Sequence, residues 1–165
     1  MRGSVDVTVR GRTSAPPEAA FDAIAPIDLA TIFDRFLLVP GVRGVRGQSG
    51  SWDTAGRTRI VLLTDGSEVP ERLTMVNRPR AFAYRLGPFP RPLGLLVAYA
   101  DGEWAFSEDG RGGTSIRWTY RFSAQPARRA IVSALLAPLW RGYARRALAR
   151  CVAAANRLAP DGSTA

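Results

Sequence analysis

Thr114-Ser115-Ile116-Arg117-Trp118-Thr119-Tyr120-Arg121-Phe122 alternates without a break. Ile116, Trp118, Tyr120 and Phe122 take every second position, with Arg117, Thr119 and Arg121 between them. That period of two belongs to a strand with one face buried and the other in water. Just upstream, Gly102-Glu103-Trp104-Ala105-Phe106 places Trp104 and Phe106 on a neighbouring strand, across the turn Glu108-Asp109-Gly110. Two adjacent strands with one bulky, largely aromatic face predict a sheet that covers a core or a cavity.

Working outward, apolar runs separated by Asp65-Gly66 and Asn77-Arg78-Pro79 predict earlier antiparallel strands at 57–63, 68–76 and 81–86, and the last hairpin spans 97–107 and 114–122. Val5, Val7 and Val9 alternate with polar residues and predict a first strand. Ser14-Ala15-Pro16-Pro17-Glu18 then carries helix-start signals for a short helix to Ile24, and Leu29, Ile32, Phe33 and Phe36 predict a second over 27–36. Gly41, Gly44, Gly47 and Gly50 recur at every third residue with no following helix, which favours an irregular edge strand and turn over a phosphate loop. After Gln125-Pro126, Val132, Leu136, Leu139, Tyr143, Ala147, Cys151, Ala154 and Leu158 mark one face of a long terminal helix. Pro138 either kinks it or separates a lead-in helix from the main one.

Composition narrows the chemistry. At 165 residues and 46% hydrophobic, the chain can form one domain, hiding roughly 70% of its unfolded surface. The apolar stretches 93–100 and 131–139 are short of the roughly 18 residues of a membrane span, and 5–9 alternates where a secretory signal would be apolar throughout. A cytoplasmic protein is expected. There is no histidine, which excludes His bases, His metal sites and Ser/His/Asp nucleophiles. All 23 cationic residues are arginine, which excludes a Schiff-base or P-loop lysine. Cys151 has no disulfide partner and reads as a small core residue. No metal or cofactor is expected. The net charge of +9 is spread along the chain with no nucleic-acid motif, so no DNA partner is expected, although peripheral contact with RNA, a ribosome or an anionic membrane stays open. Oligomeric state has no sequence signal.

One strand, two short helices, a run of antiparallel strands and a long helix make a helix-grip order. With 14–21, 102–106 and 113–122, the chain resembles the START/Bet v 1-like superfamily, in its polyketide cyclase/dehydrase and lipid-transport branch. The resemblance implies an α+β domain over 4–158, with a curved sheet of about six or seven strands gripping the helix around a cavity and a disordered tail at 159–165. Members include carriers, cyclases and sensors, so the resemblance implies a pocket rather than a reaction.

The expected ligand is a hydrophobic or aromatic small molecule, lipid-like or polyketide-like. Met75, Tyr84, Trp104, Trp118, Tyr120 and Tyr143 are the candidate lining. Glu71 shares a strand face with Val69, Leu73 and Met75, where burial would raise its pKa toward general acid or base work unless an arginine pairs with it. It is the candidate catalytic residue of the alternative reading, a cyclase or dehydratase. A bulge at Pro70 would instead turn it to solvent. The breaker-rich segment 87–94 is either a rim loop or a stiff connector.

Overall fold

The computed structural model describes residues 3–159. The strands β1 (Ser4–Thr13), β2 (Val42–Arg46), β3 (Thr58–Leu63), β4 (Glu68–Asn77), β5 (Ala81–Leu86), β6 (Val97–Glu108) and β7 (Thr114–Ala124) form one antiparallel sheet. Its order is β1-β7-β6-β5-β4-β3-β2, so the first strand closes onto the last and every other neighbour is a hairpin partner. The alternation of β7 is realised as expected: Ile116, Trp118, Tyr120 and Phe122 are buried, while Arg117 and Arg121 are exposed. On the outer face Arg121 pairs with Asp6, Arg85 with Asp101 and Arg117 with Glu103, so part of the positive charge is answered locally.

Between β1 and β2 run α1 (Pro17–Ile24) and α2 (Leu29–Ile32). Pro17 sits in the first turn of α1, where its missing N–H costs nothing, and Glu18 follows at the positive end of the helix. In α2 the Asp28 carboxylate caps Ala30 N at 3.0 Å. The expected helix over 27–36 is cut short because Phe33 leaves helical geometry and its carbonyl accepts from Val42 N at 2.8 Å, tying the chain to the start of β2. Phe36 and Val39 then exchange backbone hydrogen bonds around a tight turn with Leu37 and Leu38 at its tip. Leu37 has φ +52°, a left-handed conformation uncommon outside glycine.

The terminal helix begins as α3 (Arg129–Ile131), widens through a π-helical stretch at Val132–Leu136 and continues as α4 (Ala137–Asn156). Backbone angles stay helical across both joints. The wide turn lies immediately before Pro138, which has no N–H to offer the preceding turn, so the proline marks a register change rather than a break. Val132, Tyr143, Ala147 and Cys151 are buried as the pattern requires. Leu158 is exposed because the helix ends at Asn156. The helix packs against β1, where Gly11 lets it approach: a Cβ there would lie 3.2 Å from Val152 Cγ2 and 3.3 Å from Leu148 Cδ2. Among the described residues no helix is long and apolar enough to cross a membrane. Except for Ala159, the tail expected at 159–165 lies outside the described residues.

Candidate functional site

A cavity of about 360 Å³ separates the concave face of the sheet from the helices, a volume typical of small-molecule pockets. Its deep wall is aromatic. Trp104 stacks on Trp118 with ring centroids 4.3 Å apart, Phe82 stacks on Trp104 at 5.8 Å, and Tyr120 meets Trp140 edge-on at 4.8 Å. From the helix side Phe33 and Tyr143 stack at 5.0 Å, and the Tyr143 hydroxyl donates to the Pro40 carbonyl at 2.9 Å. These flat, rigid rings present both faces and edges, which suits planar apolar molecules.

The exposed lining residues are Leu38 of the α2–β2 turn, Asp65 of the β3–β4 turn, and Arg91 and Pro92 of the 87–96 segment, and half-buried Leu136 and Leu139 of the terminal helix line the cavity as well. They define the mouth. Leu38 is 88% exposed there, and Leu37, Leu95 and Leu135 stand exposed on the same segments. The 87–96 segment is thus a rim, held by Gln125, whose Nε2 donates to Gly94 O at 3.0 Å and whose backbone N–H donates to Leu96 O at 2.8 Å.

Inside the aromatic wall is a directed hydrogen-bond chain. Trp118 Nε1 donates to the Tyr84 hydroxyl at 3.0 Å, and Tyr84 donates to the Tyr120 hydroxyl at 2.9 Å. Tyr84 already accepts from the indole, so giving its own proton to Tyr120 leaves the Tyr120 proton for an acceptor in the cavity. Desolvation pushes both phenols above their ordinary pKa, reinforced at Tyr84 by the negative charge of Glu71. They are therefore donors, not bases. Gly102 makes room for this chain. It lies opposite Tyr84 on one side and Tyr120 on the other, and a Cβ at 102 would come within 2.6 Å of the Tyr84 hydroxyl oxygen.

At the other end of the wall, Glu71 and Arg59 face each other across β4 and β3. They are 4% and 6% exposed, and Arg59 Nε donates to Glu71 Oε2. Burial raises the Glu71 pKa, and the charge and hydrogen bond of Arg59 oppose the rise without cancelling it. The Trp52 ring covers the guanidinium, 3.8 Å from its central carbon. Arg59 Nη1 reaches only Gln48 Oε1, at 3.5 Å.

The structure brings Tyr84, Trp104, Trp118, Tyr120 and Glu71 from the sheet and Tyr143 from the terminal helix to the lining of one cavity. Pro70 does not turn Glu71 outward. The irregularity in β4 falls later, between Leu73 and Met75, and it displaces Met75 instead. Leu73 pairs with inward-facing Tyr84, but Met75 pairs with Ala83, on the opposite face from Tyr84 and Phe82, so Met75 is not part of the lining. Sequence reasoning missed Arg59 and Trp52. Ile60 and Leu62 give β3 apolar side chains on both faces, which hides the orientation of Arg59, and Trp52 lies in a polar loop where its size was the one available signal.

Residues 4–156 match the model of the family described as polyketide cyclase / dehydrase and lipid transport. No curated protein matches. Among solved structures the chain is similar to Ara h 8.0201, with TM-score 0.67 and 14% identity over 94% of this chain and 98% of that one. It is also similar to XoxI from Bacillus cereus, with TM-score 0.66 and 18% identity over 91% and 94%. A putative uncharacterized protein from Bacillus thuringiensis aligns with TM-score 0.63 and 16% identity over 90% and 99%. At such identities these likenesses speak for the fold, while the family match spans nearly the whole chain. The chain belongs to the polyketide cyclase/dehydrase and lipid transport family of the START/Bet v 1-like superfamily, and its fold is that of a hydrophobic-ligand binder.

Proposed function

We propose that the protein binds and carries a planar hydrophobic or aromatic small molecule, lipid-like or polyketide-like, inside this cavity. The observation that carries the reading is a cavity of about 360 Å³ lined by the stacked rings of Phe82, Trp104 and Trp118 on the sheet and of Phe33 and Tyr143 on the helix side. A bicyclic aromatic burying roughly 200 Å² of apolar surface there would gain about 5 kcal/mol at ~25 cal/mol per Å². The Tyr120 hydroxyl supplies orientation. Exposed Leu37, Leu38, Leu95 and Leu135 give the mouth an apolar edge over which such a ligand enters.

A cyclase or dehydratase reading rests on the burial of Glu71 within the cavity. Its engagement by Arg59 and the protonated state of the phenols favour binding, because the wall offers hydrogen-bond donors and no disengaged base. Native and denaturing mass spectrometry of protein purified from its own host tests the carrier reading. A stoichiometric hydrophobic adduct that is lost on denaturation is expected. A bare protein that also fails to take up aromatic probes would overturn it. Turnover of an identified ligand, abolished in Glu71→Gln while binding persists, would move the assignment to the enzyme.

A further inference from the structure

The cavity wall is apolar apart from a few groups, and one of them is a whole cation. Arg59 carries five N–H donors, of which Nε is used by Glu71 and Nη1 makes the single long contact with Gln48. Its side chain lies on the inner face of β3 with Val61 and Leu63, toward the cavity. The Trp52 ring lies against the guanidinium, 3.8 Å from its central carbon, and restrains it. A fixed, planar, under-used guanidinium in an apolar cavity suits a carboxylate, whose two oxygens match its fork.

We propose that Arg59 anchors the carboxylate of a hydrophobic carboxylic acid, and that Glu71 takes up one proton as the acid binds. The proposal rests on the carrier reading. Its second half follows from charge: the Arg59–Glu71 pair is neutral, and a second carboxylate beside it would leave a net negative charge in a desolvated wall. Protonating Glu71 restores neutrality and frees the guanidinium for the ligand.

The other charged or titratable groups around the cavity are Tyr84 from β5, Tyr120 from β7, Tyr143 from α4, and Asp65 and Arg91 at the mouth. Burial holds the three phenols protonated. Hydrogen bonds from Ser67 hold Asp65 below the usual carboxylate range. Arginine keeps its charge at any working pH. Glu71, buried beside Arg59, is therefore the group in this wall placed to take up the proton: burial raises its pKa, and the charge and hydrogen bond of Arg59 oppose the rise.

Isothermal titration calorimetry with biphenylcarboxylic acid and its neutral amide, in buffers of different ionisation enthalpy, tests the assignment. The wild-type protein is expected to bind the acid with uptake of one proton and more tightly than the amide. Above the Glu71 pKa, affinity for the acid should fall about tenfold per pH unit. Glu71→Gln keeps the shape of the pair and should bind the acid with no proton uptake and a flat pH profile. Arg59→Leu combined with Glu71→Gln should lose the preference for the acid.

Equal binding of acid and amide by the wild type would overturn the anchor while leaving the carrier reading standing. A pH slope unchanged in Glu71→Gln would show that the ligand carries the proton itself, which overturns the proton-uptake half. Failure of both probes to bind would count against the carrier reading and this proposal together.

Discussion

Replacing Gly102 with alanine adds one methyl group at the tightest point of the aromatic wall. The new Cβ would sit 2.6 Å from the Tyr84 hydroxyl oxygen and nearer still to the ring, whereas ordinary contact needs about 3.5 Å. Tyr84 is buried and must move by about 1 Å, which breaks its alignment with Trp118 Nε1, Tyr120 or both. Overpacking costs about 1–3 kcal/mol and a lost buried hydrogen bond about 1 kcal/mol more, while removing a glycine from a strand returns roughly 0.5–1 kcal/mol. The net expectation is a loss of about 2–3 kcal/mol. For a domain of this size that is a fall in Tm of roughly 5–10 °C. Denaturant unfolding of Gly102→Ala should be measured with and without Tyr84→Leu, which removes the ring the methyl group strikes. In that second background alanine should cost under about 0.5 kcal/mol, giving a coupling near 2 kcal/mol. Equal costs in the two backgrounds would refute the account of Gly102 as the slot for Tyr84.

Two other expectations concern buried titratable groups. Burial holds the Glu71 pKa above its unfolded value, so the folded chain binds that proton more tightly. The associated stabilisation is complete below the unfolded value and is lost as pH rises through the folded one. Glu71→Gln should flatten the midpoint of chemical denaturation across that window, and a slope that persists in the variant would assign it elsewhere. Asp22 and Asp65, whose pKa values are lowered by Arg78 and Ser67, act below that window with the opposite sign. Cys151 is fully buried, with its thiol pushed up to about 12 by desolvation, so a thiol-specific reagent at mildly alkaline pH should label it only as fast as the chain unfolds. Labelling at the rate of an exposed thiol would contradict the packing of α4.

The parts of the fold that are legible in the sequence are those where one period governs a long segment. The alternation of β7 and the face of α4 follow from side-chain direction alone, and Glu71 is legible because it interrupts an apolar row. Met75 is misplaced because a bulge is a one-residue event that reverses every face beyond it, and nothing at Thr74 announces it. The second helix is overextended because its end is set by the distant hydrogen bond between Phe33 and Val42. Arg59 becomes interpretable only through its cross-strand partner, since a short strand with apolar residues on both faces fixes no orientation for a cation.

Pairing the first strand with the last has a consequence for how the chain folds. Thr8 and Thr119 share a hydrogen bond at 3.0 Å although 111 positions separate them, and α4, which packs on β1, comes later still. Contacts over such separations are slow to form because loop closure must precede any gain from them. During synthesis Val5, Val7 and Val9 have no sheet partner until β7 has emerged, and the helix side of the cavity is missing until α4 follows. The cavity is thus among the last features of the chain to form, and a ribosome-bound fragment ending before α4 has no enclosed space in which to hold a ligand.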